Sequence, residues 1–158
     1  MTAPLSAGDA APALKLDTTA GPISLPPSGG RGVIVFFYPK DNTPGCTTEA
    51  KAFTEMKAEF DAKGFDIVGV SRDPIKSHLK FATKFQLSIN LISDESEELC
   101  TTFDVLKNKN MYGKVVRGIE RSTFLYDKHG KLVKEWRKVS AEQNPSEVIN
   151  FVKTTKIV

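Results

Sequence analysis

The stretch VIVFFYPKDNTPGCTTEAKAFTEM, residues 33–56, changes its hydrophobic period partway along, and that change sets the order of the fold. VIVFFY, residues 33–38, is an unbroken run of Val, Ile and aromatics, the pattern of a strand covered on both faces. Pro39 ends it, because proline has no backbone N-H to give a sheet. From Thr47 to Lys63 the apolar residues Ala50, Phe53, Met56 and Phe60 recur at helical spacing, with Lys51, Glu55, Lys57 and Glu59 on the other face. This pattern predicts an amphipathic helix closed by Gly64.

Working outward, FDIVGV at 65–70 reads as a second buried strand. Asp73 and Pro74 then predict the N-cap and first turn of a helix that buries Ile75, Leu79, Ala82 and Phe85. INLI at 89–92 is a short third strand, and Asp94 with Glu97 predicts a capping box for a helix through Phe103. RSTFLYD, the turn DKHG and KLVKEWR form an antiparallel hairpin, followed by a helix opened by Asn144 and Pro145 and buried through Val148, Phe151 and Val152. Upstream, Leu14 to Asp17 and Ile23 to Leu25 flank the turn signal TTAG and predict an N-terminal β-hairpin. The sum is an α/β fold, a mixed central β-sheet flanked by helices, in one domain over residues 1–158.

With 22 basic against 19 acidic residues, a net +3, the charge falls short of what a nucleic-acid binder carries. No basic start followed by a long apolar segment opens the chain, so the expectation is no secretory signal, no membrane span and a cytoplasmic address. In that compartment Cys46 and Cys100 are read as thiols before they are read as a disulfide. Two cysteines 54 positions apart and two scattered histidines lack the paired spacing of a zinc site, and SGGRG lacks the ending of a phosphate loop. His78 and His129 are read as surface residues, which leaves a cysteine hydrolase without its base. The basic positions Lys107, Lys109, Lys114 and Arg117 and the acidic run at 94–98 read as solubilising faces, and KNKNMYGK at 107–114 as a mobile stretch.

Cys46 stands in the first turn of the helix after the buried strand, where unpaired backbone N-H groups and the helix dipole favour an anion such as a thiolate. Moving a thiol from a pKa of about 8.5 to about 6 raises its ionised fraction at neutral pH by about thirtyfold, or about 2 kcal/mol. A fast thiol enzyme therefore also needs groups that hold the atom attacked and stabilise the one that leaves. Thr43 offers a hydroxyl, Pro39 an apolar ring without a donor, and Gly45 a backbone that allows close approach. Taken singly, Thr43 also suits a turn or cap, Pro39 a strand terminator, and Cys46 a small core residue.

Pro39, Thr43 and Cys46 together match P-x-x-x-T-x-x-C, and FYPKDNTPGCTTEA with the downstream GIERSTFL resembles the bacterioferritin-comigratory, or peroxiredoxin Q, branch of the peroxiredoxins. The resemblance implies a thioredoxin-like fold and reduction of hydrogen peroxide or organic hydroperoxides without metal or organic cofactor. It also implies that Cys46 is the nucleophile that becomes sulfenic acid. Thr43 and the backbone N-H of Cys46 then bind the peroxide, Arg121 is the fixed cation, and Glu49 orients Arg121. By itself, Arg121 also reads as a solvated strand end and Glu49 as a surface carboxylate near a helix start.

The chain departs from its branch where a second cysteine is expected: Lys51 stands five residues after Cys46, and Ala82 stands at the alternative position on the next helix. Cys100 shares a helix face with Leu99 and Phe103 and reads as a packing residue. The expectation is a one-cysteine mechanism, in a monomer recycled by thioredoxin, glutaredoxin or glutathione. The alternatives are a two-cysteine route through Cys100, a thiol redox sensor, or a thioredoxin-like exchanger. The exchanger is weakened by Glu49 standing where its second thiol belongs.

Overall fold

A computed structural model describes residues 14–16, 18–19, 23–25 and 31–155. In chain order the elements are β1 (Leu14–Leu16), β2 (Ile23–Leu25), β3 (Gly32–Phe37), α1 (Pro44–Glu55), α2 (Lys57–Ala62), β4 (Phe65–Ser71), α3 (Ile75–Phe85), β5 (Asn90–Ser93), α4 (Glu98–Thr102), β6 (Leu106–Met111), β7 (Lys114–Ile119), β8 (Ser122–Tyr126), β9 (Leu132–Trp136) and α5 (Asn144–Thr154). The five-stranded sheet runs β5-β4-β3-β8-β9. β3 pairs parallel with β4 and antiparallel with β8, and β8 with β9 is the expected hairpin. β1 and β2 pair antiparallel, as the turn signal implies; Asp17 lies outside the described residues.

β3 is central and covered on both faces, so its six residues are all buried, and side-chain alternation splits them between two cores. Val33, Val35 and Phe37 join Leu99 and Cys100 of α4 and Phe103 just after it on one face. Ile34, Phe36 and Tyr38 join Cys46 and Phe53 of α1, Phe81 of α3 and Val148 of α5 on the other. This division matters for the chemistry, since it assigns the two thiols to different layers.

The helix expected over Thr47–Lys63 starts earlier and is broken once. Pro44 opens it, where its fixed φ suits a first turn and its missing N-H costs nothing, and Met56 (φ −90°, ψ 0°) separates α1 from α2. On α3 the buried face is rotated from the expected one: His78 and Phe81 are buried, while Leu79 is 47% exposed. Asp73 does not cap α3; Pro74 holds the N-cap position, and the Asp73 carboxylate accepts hydrogen bonds from Ser71 Oγ (2.6 Å) and the Asp41 N-H (2.9 Å). Asp94 does cap α4, accepting from the N-H groups of Leu99 and Cys100 (3.0 and 2.8 Å). Glu97 does not complete the box, because Arg72 and Arg117 each hold it at 2.9 Å.

The stretch at 107–114 is a regular hairpin between β6 and β7. Tyr112 and Gly113 both have positive φ (54° and 79°), as a two-residue turn opposite Met111 and Lys114 requires. No helix among the described residues is long and apolar enough to cross a membrane.

Candidate active site

The end of β3 delivers the chain into the loop that carries Pro39 and Thr43, and α1 starts at once behind it, so Cys46 occupies the third position of the helix. Thr47 N-H makes the first helical bond there, to the Thr43 carbonyl at 2.9 Å. The N-H groups of Gly45 and Cys46 thus belong to the turn whose donors have no helical acceptor. Cys46 is a free thiol and 1% exposed, deeper than a residue at the mouth of a pocket; Thr43 and Gly45 beside it are half-buried.

Arg121 comes from the other side of the fold. It immediately precedes β8, whose Ser122 pairs with Phe37 at the end of β3, and its carbonyl accepts the Val139 N-H at 3.0 Å. Anchored this way, its guanidinium donates from Nη2 to Cys46 Sγ at 3.4 Å and from Nη1 to Glu49 Oε1 at 2.8 Å. Burial works against this cation, but Glu49 and Cys46 outweigh it and raise the guanidinium pKa further. Gly45 makes the approach possible, since a Cβ there would sit 3.2 Å from Arg121 Nη2.

Glu49 is fully buried, one turn after Cys46 on the same helix face. Burial pushes its carboxyl up to about 7, against the opposing pull of Arg121, and its Oε2 has no hydrogen-bond partner among the described residues. The surface reading of Glu49 is thereby replaced by an inward carboxylate that faces the guanidinium. Thr43 Oγ1 donates to the Lys40 carbonyl at 2.8 Å, so its only proton is committed and its lone pairs remain to accept. Pro39 lies half-buried in the bend after β3.

Cys100 is fully buried, and burial first and Asp94 second push its thiol well above the ordinary range, toward the un-ionised form. Lys51 is exposed on α1 and Ala82 is half-buried on α3, so neither expected position offers a second sulfur. His129 is exposed in the β8–β9 turn as expected, whereas His78 is fully buried. The surface reading of His78 fails because Asp41 and the Ile92 carbonyl satisfy both ring nitrogens, which removes the penalty for burying them. Asp41 and His78 were missed as a pair; the one sequence signal was that Asp41 stands two residues before Thr43.

A family model described as AhpC/TSA family matches residues 7–135. Peroxiredoxin Bcp of Xanthomonas campestris is 50% identical over 124 residues, which cover 78% of each chain. Peroxiredoxin Bcp of Bacillus subtilis is 43% identical over 147 residues, 92% of this chain and 94% of that one. Among solved structures, the bacterioferritin comigratory protein of Xanthomonas campestris, studied for alkyl peroxide reduction in trapped intermediate and ligand complexes, superposes with a TM-score of 0.84. It is 44% identical and covers 92% of this chain and 98% of its own. A cysteine-to-serine mutant of Xylella fastidiosa PrxQ gives a TM-score of 0.90 at 36% identity, over 96% and 97% of the two chains.

Proposed function

Because this chain belongs to the AhpC/TSA family and is a peroxiredoxin, a thiol-dependent peroxidase with the thioredoxin-like fold, we propose that Cys46 is its peroxidatic residue. The observation that carries this is the contact of Cys46 Sγ with a partly buried guanidinium at 3.4 Å, in a helix turn whose first N-H groups have no helical acceptor. The Cys46 thiolate attacks the terminal peroxide oxygen. As the S-O bond forms the O-O bond breaks, its electron pair leaves on the alkoxide or hydroxide, and a proton then completes the alcohol or water. Sulfur is oxidised to sulfenic acid and the peroxide is reduced.

The Cys46 N-H donates to the peroxide, Thr43 Oγ1 accepts its O-H, and Arg121 stabilises charge on the sulfur and the departing oxygen. The committed proton of Thr43 supports the accepting role over the donating one. Glu49 holds the guanidinium nitrogen of Arg121 that does not face the sulfur and is a positioning residue. Gly45 admits the guanidinium, and Pro39 closes the strand and keeps a competing donor out of the loop.

The sulfenic acid is recycled by an external thiol such as thioredoxin, glutaredoxin or glutathione. One thiol displaces water to give a mixed disulfide, and a second thiol releases Cys46. The burial of Cys100 in the core on the opposite sheet face supports this one-cysteine route. We place the enzyme in the cytoplasm as a monomer. Steady-state consumption of hydrogen peroxide and of an alkyl hydroperoxide, with each reductant in turn, tests the assignment: turnover with at least one small or protein thiol is expected. Stoichiometric oxidation without turnover by any of them would point to a sensor.

A further inference from the structure

Between Pro39 and Thr43 the loop carries Asp41, which is tied down more heavily than a turn residue requires. It is 6% exposed. Its Oδ1 accepts from Tyr38 Oη at 2.6 Å, and its Oδ2 accepts from Ser77 Oγ at 2.7 Å and lies 2.7 Å from His78 Nδ1. Its own backbone N-H donates to Asp73 Oδ2. His78, fully buried on α3, places Nε2 at 2.8 Å from the Ile92 carbonyl of β5. The loop is thus fastened to α3, and through His78 to β5, by one aspartate.

A proton count distinguishes this cluster from an ordinary polar contact. A carbonyl only accepts, so His78 Nε2 carries hydrogen. The Nδ1 to Oδ2 distance of 2.7 Å, without a hydrogen between, would set two lone pairs against each other in a buried site. A second proton therefore lies on that line, and the pair holds one proton more than a neutral histidine beside an ionised aspartate. Tyr38 Oη also lies 3.4 Å from His78 Nδ1, but its 2.6 Å bond to Asp41 Oδ1 takes its proton, and Ser77 spends its proton on Asp41 Oδ2. Asp73 also meets the cluster, accepting the Asp41 N-H, and Lys76, Lys80 and Lys84 line the same pocket as Asp41.

We propose that Asp41 and His78 are positioning residues for the peroxide reaction: their shared proton clamps residues 39–43 to α3 and β5 and thereby aims the Thr43 hydroxyl. This rests on the role given to Thr43 above. The link is short, because Thr43 Oγ1 is oriented by the carbonyl of Lys40, which directly precedes Asp41. Asn42, between the clamp and Thr43, has φ +60°, a left-handed conformation that persists only where its surroundings hold it. An ångström of misplacement at such a group costs about a hundredfold in rate.

The test compares two reactions of the same sulfur. Stopped-flow oxidation by hydrogen peroxide needs the Thr43 hydroxyl; alkylation by iodoacetamide does not. Asp41→Asn and His78→Gln should each lose about 10- to 100-fold in oxidation, as should Thr43→Val, while alkylation changes less than about threefold. In native protein labelled with ¹⁵N at histidine, both ring nitrogens of His78 should carry hydrogen. The proposal is overturned by a native oxidation rate in Asp41→Asn, by alkylation falling in parallel with oxidation, or by a bare ring nitrogen at His78. If Asp41→Asn does not fold, Ser77→Ala, which removes one donor from the same oxygen, should show a smaller loss with the same selectivity, and equal losses in both reactions would overturn it. A native rate in Thr43→Val would instead bring down the reading of that hydroxyl on which the clamp depends.

Discussion

Cys46 and Cys100 lie on opposite faces of one five-stranded sheet, each inside a different core. A disulfide between them requires one sulfur to leave its layer and pass the central strand. Local unfolding of a buried helix costs several kcal/mol, and this favours the proposed route in which external thiols reduce the sulfenic acid. Intact-mass measurement after one equivalent of peroxide should show a gain of one oxygen, or a mixed disulfide when a small thiol is present. Loss of two hydrogens with no added oxygen would identify a Cys46 to Cys100 bridge and overturn the one-cysteine route.

Glu49 makes stability depend on pH in a direction opposite to most carboxylates. Burial raises its pKa from 4.5 to about 7, so the folded state retains a proton that the unfolded chain releases. The resulting stabilisation is fully present below about pH 4.5 and is lost as pH rises through about 7. Glu49→Gln fixes the neutral form at every pH. The decline in unfolding free energy between about pH 5 and about pH 8, followed by urea denaturation, should flatten by on the order of 2 to 3 kcal/mol. An unchanged slope would show that Arg121 holds the carboxylate ionised throughout.

Gly45 serves the guanidinium rather than a turn. In Gly45→Ala the new methyl would meet Arg121 Nη2 at 3.2 Å, and the flexible end of the arginine should give way by a few tenths of an ångström. The expected result is a native melting temperature with peroxide oxidation slowed about 3- to 30-fold. Oxidation at the native rate would mean that the guanidinium position tolerates more than the account allows.

The central strands were readable because β3 and β4 are dense in Val, Ile and Phe and β8 is apolar through Phe124, Leu125 and Tyr126, with turn residues between them; the order in which they pair was not. Cys46, Thr43 and Arg121 were readable through their joint pattern, although 75 positions separate Cys46 from Arg121 and only the β3 to β8 pairing brings them together. Most of what escaped reading in the helices has one cause: side-chain partners elsewhere in the fold overrode a local rule. Asp73 would cap α3 if Asp41 and Ser71 did not use its carboxylate, and Glu97 would complete a box if two arginines did not hold it. His78 looked like surface because nothing near it announces Asp41. The β6–β7 hairpin was hidden by its lysines and asparagines, which mask the alternation, leaving only the Tyr112-Gly113 turn as a signal.

The central claim is that the sulfur of Cys46, beside Arg121, splits the peroxide bond. Stopped-flow oxidation of the native protein, Cys46→Ser and Cys100→Ser by hydrogen peroxide tests it most directly. The account predicts no reaction in Cys46→Ser and a near-native rate in Cys100→Ser with a single oxygen retained on the remaining cysteine. Peroxide consumption surviving in Cys46→Ser, or vanishing in Cys100→Ser while that variant stays folded, would contradict it.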